Sequence, residues 1–251
     1  MADTPRILIP LRVLEGESLP TGLATFLAPA SVVVLGYYVV PEQTPPGQAR
    51  MEFEELAQSK IDEVTTLFED EVESRLVFTH GEEQTVDRVA DELDCDAYLI
   101  SNPAPDVKRL LVPLHPDVDI DHVGRVVASL VAGRDVTVTL FRAVSSAADP
   151  AVESPDEDPL VADVTATIID GGVSPEQLSA AVVATDDPVS DTADVAADHD
   201  VVVMGERAPS LRSLVFGEET ERVADRSLGP VLVVRRRRTQ EPERGGTDVT
   251  T

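Results

Sequence analysis

Arg6-Ile-Leu-Ile-Pro-Leu11 returns at residues 109–114 as Arg109-Leu-Leu-Val-Pro-Leu114. Both carry a basic residue, three aliphatics, a proline and a leucine in the same order. Each reads as a short buried strand, and the repetition divides the chain into two copies of one plan. After the first copy of the strand, residues 18–28 have helical spacing, with Leu19, Leu23, Phe26 and Leu27 inward and Ser18 as the expected cap. Residues 31–40 form a near-continuous β-branched and aromatic run, as expected of a parallel strand buried on both faces. A proline-rich loop at 41–48 precedes a helix over 51–72. Then come a strand at 74–79, a helix at 83–93 and a strand at 97–100.

The second copy follows the same order. A helix is expected at 120–132, a strand at 136–141, an exposed loop at 145–159 and a helix at 159–170. Strand 180–185, helix 189–198 and strand 201–204 come next. A last helix within residues 211–227 and a final strand, Val231–Val234, complete it. Strands alternating with helices imply parallel sheets with right-handed crossovers. The expected fold class is α/β, as tandem doubly wound parallel sheets. The halves span residues 1–107 and 108–236, and residues 237–251 form a charged tail expected to be disordered. The first half is shorter: its fifth strand is missing, or the opening strand of the second copy takes that place.

The chain has 251 residues, with 47 acidic against 20 basic, a net charge of −27. Lys60 and Lys108 are its only lysines. Such a charge is tolerable where molar salt shortens the Debye length to about 3 Å, which points to a halophilic setting. It also argues against a nucleic-acid partner. No apolar run reaches the ~18 residues of a membrane span, so no stable membrane insertion is expected. The acidic N-terminus leads straight into a strand, the pattern of a cytoplasmic protein. The single cysteine, Cys95, excludes an internal disulfide framework and is expected to be a packing residue.

Chemistry-bearing motifs are few. His80, His115, His122 and His199 have no partner at a metal-ligand spacing, so no metal is expected. Asp117, Asp119 and Asp121 lack the glycine and glutamate of a calcium loop and read as a solvated approach to a helix. No nucleophile elbow or complete phosphate-binding loop is present, so no catalytic residues are assigned and no enzymatic activity is expected.

In its repeated opening strands, in Thr185-Asp-Asp-Pro-Val189, and above all in Asp200-Val-Val-Val-Met-Gly-Glu-Arg-Ala208 followed by Gly217 and Gly229-Pro-Val-Leu-Val-Val234, the chain resembles the universal stress protein family. The resemblance implies the adenine-nucleotide alpha-hydrolase-like fold and a tandem pair packed like that family's homodimer. ATP-binding members hold adenosine near an Asp two residues after the first-strand proline and wrap the triphosphate in a glycine motif. Here that Asp is His115 in the second half and Arg12 in the first. Gly205 stands at the first glycine, but Ala208 replaces the second, and Glu218 follows Gly217 where Ser or Thr is usual. The first half has Asn102-Pro-Ala-Pro105 in place of the motif, and proline has no N–H to offer phosphate.

Two readings follow. In the first, the usual ATP site has decayed, there is no cofactor, and the chain is a non-enzymatic regulatory module acting through protein contacts. The resemblance implies a membrane transporter as one such partner. In the second, ATP binds a noncanonical second-half pocket built from His115, Gly205, Arg207 and Gly217, with Arg212 assisting. Val231–Val234 is expected at an exposed edge, where it pairs within the chain or makes a homodimer. Arg235–Arg238 would pin that edge to an acidic surface of the chain or a partner.

Overall fold

The computed structural model describes residues 4–100, 102, 106–145, 158–206 and 229–236. The first half runs β1 (Arg6–Arg12), α1 (Thr21–Leu27), β2 (Ser31–Val39), α2 (Pro46–Thr65), β3 (Glu73–Thr79), α3 (Glu82–Glu92) and β4 (Ala97–Ile100). The second runs β5 (Arg109–Pro113), α4 (Ile120–Val131), β6 (Thr137–Ser145), α5 (Pro159–Asp170), β7 (Leu178–Thr185), α6 (Pro188–Ala196), β8 (Val201–Gly205) and β9 (Val231–Val234).

The nine strands among the described residues form one sheet, in the order β3-β2-β1-β4-β9-β8-β5-β6-β7. Every ladder is parallel except β4–β9, where Ala97 faces Val234 and Ile100 faces Val231. The strands of the two halves therefore point in opposite directions, and the carboxyl ends of each set lie at opposite rims of the sheet. β9 also pairs in parallel with β8, Val202 facing Val231 and Gly205 facing Val234. Both its sides are occupied, and its four side chains are buried.

Of the two expected arrangements for Val231–Val234, the structure shows pairing within the chain, so the strand is not an exposed edge and is not free to join a second copy. An all-aliphatic run without charge or proline suits a strand buried on both faces. Among its described residues the first half contributes no fifth strand. β9 fills that place, and β5 does not.

The two halves are anchored alike. Asp96, just before β4, accepts the Arg6 N–H at 2.8 Å and donates its own N–H to the Arg6 carbonyl. Asp200, just before β8, accepts the Lys108 and Arg109 N–H groups at 2.9 and 2.8 Å and donates to the Arg109 carbonyl. Burial alone would raise the Asp200 pKa. The backbone N–H bonds and the Arg109 guanidinium outweigh it, and the net shift is downward.

One face of the sheet carries a core that runs unbroken across both halves. Leu23, Phe26 and Ile61 on α1 and α2 join Val126, Leu130 and Val164 on α4 and α5. The opposite face packs Val86 and Val89 of α3 and Ala196 near Leu8, Leu35, Leu111 and Val202. Arg134 ties the halves together on the first face. Its guanidinium donates to Phe26 O at 2.7 Å and Thr25 O at 2.9 Å, at the carbonyl end of α1, and to Leu130 O at 3.1 Å. It also sits 5.7 Å over the Phe26 ring.

Several boundaries differ from expectation. α1 begins at Thr21 with Pro20 at its cap position, so Ser18 does not cap it. α2 starts at Pro46, because proline lacks only an N–H that the first turn leaves unpaired anyway, and it ends at Thr65. His122 falls within the helix expected at 120–132. It is inside α4, 2% exposed, with Nε2 3.3 Å from Asp96 Oδ1. Asp119 caps that helix by accepting the His122 N–H. Asp158, at the end of the expected exposed loop, is fully buried. It caps α5 through the Leu160 and Val161 N–H groups and pairs with Arg142. His199 closes the end of α6: Nδ1–H donates to Val195 O at 2.8 Å, so Nε2 accepts from the Thr139 hydroxyl at 2.9 Å. Cys95 is buried, and desolvation pushes its thiol up to about 11. Arg235 pairs with Asp91 and the Arg236 N–H donates to Glu206, so these two arginines pin the strand end to acidic groups of the same chain, as expected. The tail itself, residues 237–251, lies outside the described residues.

Candidate functional site

In an open parallel sheet, ligands bind where strand order reverses, beyond the carboxyl ends of the strands. The second half reverses between β8 and β5, and His115 and Gly205 both lie there, one just after β5 and one at the end of β8. The fold puts these two residues at the carboxyl ends of the paired strands β5 and β8. Arg207 and Gly217, with Ala208, Arg212 and Glu218, lie outside the described residues.

Among the described residues, it is the β5–α4 loop that lies against the end of β8. Val118 presses on Gly205 so closely that a Cβ there would meet Val118 Cγ1 at 1.9 Å. Gly205 is thus required by packing alone. A second contact holds the same loop down: the Arg236 guanidinium donates to Asp117 O at 2.7 Å. The β8 end is closed in turn, with the Glu206 N–H donating to Val234 O at 2.6 Å and the Glu206 carboxylate accepting the Arg236 N–H at 3.0 Å. His115 turns onto its own loop, Nδ1 accepting the Asp117 N–H at 3.3 Å. The Asp117 carboxylate lies 3.7 Å from the same nitrogen.

The first half reverses between β1 and β4, and here a cleft is open. It is lined by Glu17, Glu82, Glu83 and Asp87, with Tyr37 and Tyr98 on its walls. Arg12, at the position of the family's adenosine-binding Asp, is already engaged. Its guanidinium pairs with Glu82, its Nε donates to the Tyr37 hydroxyl at 3.2 Å, and its N–H donates to Glu17 at 2.6 Å. Tyr37 O–H donates to Glu82 Oε1 at 2.6 Å. The Glu82 hydrogen bond, opposed by partial burial, raises the Arg12 pKa still further above its ordinary value. Burial first, and the Glu82 bond second, hold the Tyr37 phenol well above the ordinary tyrosine range. The charge Arg12 would offer a phosphate is therefore spent on the protein, and four carboxylates line the cleft around it.

Sequence reasoning placed Arg12 but missed Tyr37 and Glu82. They are 45 positions apart and join only because β2 and the start of α3 meet β1 at one rim. Among the described residues no cluster of three or more His, Cys, Asp or Glu could hold a metal ion. No helix among them is long and apolar enough to cross a membrane.

A solved universal stress protein from Archaeoglobus fulgidus DSM 4304 superposes on this chain with a TM-score of 0.57. The match covers 92% of this chain and 96% of that one, at 14% sequence identity. The fold is that of the universal stress proteins. No family model matches the chain, and no curated protein does either. Within the universal stress protein fold, Val118 and Arg236 occupy the second half's switch point, and an acidic cleft occupies the first half's.

Proposed function

We propose that this chain is a non-enzymatic regulatory module, a tandem universal stress protein whose nucleotide sites have been given over to packing, and that it acts through protein contacts in a salt-rich cytoplasm. The observation that carries this reading is the seating of Val118 on Gly205, which fills the crevice between β5 and β8 where an adenosine would lie. The first-half cleft supports it from the other side. A triphosphate there would meet Glu17, Glu82, Glu83 and Asp87, and like charges at short range repel strongly in a partly desolvated cleft. The matching anchors at Asp96 and Asp200 support a tandem origin, and the net charge of −27 supports the salt-rich setting.

The test is isothermal titration of ATP, ADP and AMP with Mg²⁺ into the full chain, folded in about 2 M KCl, where the Debye length falls below about 3 Å. No heat above dilution, and no competition among the three, is the expected result. Micromolar ATP binding overturns the reading and favours a second-half pocket that includes Arg207 and Gly217.

A further inference from the structure

β7 and β3 are the two edge strands of the sheet among the described residues, and β7 is the one without charge. It closes the sheet next to β6, pairing from Val138↔Leu178 to Ser145↔Thr185, and among the described residues nothing pairs with its other side. Its sequence, Leu178-Ser-Ala-Ala-Val-Val-Ala-Thr185, has no charge and no proline. None of its eight residues is fully buried, and Val183 is 39% exposed. Leu178, Ala180 and Val182 are partly buried against one core and Ala181 against the other, while α5 packs chiefly on α4 and α6 on β6.

The opposite edge is built differently. β3 carries Glu73 and Arg75, which pair with each other while Glu73 also binds Arg6, and α2 packs along it. Proteins blunt an edge strand with charge, proline, a bulge or a covering element. β3 has charge and a helix. β7 has no charge at all, in a chain where 47 of 251 residues are acidic.

We infer that the β7 edge is a self-association surface: two copies of this chain join their β7 strands antiparallel about a two-fold axis, continuing the sheet from one molecule into the next. A two-fold normal to the sheet that sets Ala181 against Ala181 of the second copy keeps opposed side chains on the same face and pairs Leu178 with Ala184, which takes seven of the eight residues into the ladder. The interface is then isologous and closed, and no open filament follows. Charge selects a second copy rather than a basic partner. The strip is neutral, so it offers nothing to a cation, and it is where two molecules of net charge −27 meet without facing carboxylates along the ladder. Carboxylates do stand at its ends, Glu176 before the strand and Asp186 and Asp187 after it. An antiparallel pair brings Glu176 toward Asp186 and Asp187 of the second copy. The dimer therefore depends on salt to screen its ends. This rests on the edge alone and stands whether or not nucleotide binds.

Sedimentation equilibrium of the full chain over about a hundredfold range of concentration, in about 2 M and about 0.5 M KCl, reads the association directly. Amide exchange of residues 179–184, measured at the ends of that range, locates it. The expected result is a dimer in high salt that weakens as salt falls, with amide protection in β7 that rises with protein concentration. Val183→Lys places a solvated charge on the edge and weakens the dimer about tenfold or more, while Val183→Thr, neutral and β-branched, keeps it. Circular dichroism and exchange in β1 and β8 report that both variants are folded. A monomer at every concentration overturns the proposal. If its β7 amides are protected, residues 146–157 or 207–228 of the same chain cover the edge. If they exchange freely, the edge serves a different protein.

Discussion

Gly205→Ala puts a methyl group where Val118 already is. The new Cβ would lie 1.9 Å from Val118 Cγ1 and 3.1 Å from its Cβ and Cγ2, and real carbon contacts do not approach the first of these distances. Val118 must change rotamer or carry the β5–α4 loop with it, straining the Arg236–Asp117 bond that holds that loop. Overpacking of this kind costs about 1–3 kcal/mol, so about 2 is expected. Val118→Ala alone removes two half-buried methyls and costs about 1 kcal/mol. In the double variant the worst contact is gone and only the 3.1 Å approach to the Val118 Cβ remains. Its loss is therefore smaller than the sum, with a favourable coupling of about 1–2 kcal/mol. Urea unfolding in molar KCl measures all four corners of the cycle. At an m-value of about 3 kcal/mol/M the single Gly205→Ala shift is about 0.7 M in midpoint. A Gly205→Ala variant within about 0.5 kcal/mol of the parent, or a double variant with additive losses, would refute the claim that Val118 fills this crevice.

Three further outcomes follow from the same structure. Arg134→Ala removes two hydrogen bonds that cross between the halves and the stacking on Phe26, and is expected to cost about 2–3 kcal/mol in urea unfolding. Arg134→Lys, which cannot fork between Thr25 and Phe26, recovers less than half. Asp200 has a depressed folded-state pKa, so its stabilisation is present above the unfolded value of about 3.9 and is lost as pH falls through the lower folded value. Asp200→Asn should therefore lower stability at pH 7, and the gap to the parent should narrow as pH falls below about 4; a gap independent of pH contradicts the assignment. Cys95, with its thiol raised to about 11, stays protonated at pH 8 and is expected to resist iodoacetamide in the folded chain while reacting fully in urea.

The parallel sheet was legible because its strands are chemically loud. Val32–Leu35 and Val201–Met204 are uninterrupted aliphatic runs, and only a strand covered on both faces uses such a run economically. Helix α4 also carried a readable signal that periodicity left unused. His122, Val126 and Leu130 lie four apart on one face, so the histidine had to share the burial of its apolar neighbours. The position of β9 was less legible. A short aliphatic strand can close a sheet or join two halves, and its antiparallel ladder to β4 depends on a partner more than 130 positions away. The absence of any edge-protecting residue in Val231–Val234 was the available clue.

The site was legible in outline only. His115 and Gly205 were placed by counting from the strand proline and from the last aliphatic run, and the fold puts them at the carboxyl ends of neighbouring strands. The residue that closes it, Val118, belongs to no motif: its role comes from the path of the β5–α4 loop, which side-chain pattern does not encode. Likewise the Arg12–Tyr37–Glu82 arrangement arises from β1, β2 and α3 converging at one rim. Sequence spacing alone holds no trace of it.

The most direct measurement is a crystal structure grown in molar KCl with millimolar Mg–ATP. The account predicts Val118 still seated on Gly205, Arg236 still bonded to the Asp117 carbonyl, and no adenosine between β5 and β8. An adenine ring in that crevice with Val118 displaced would contradict it.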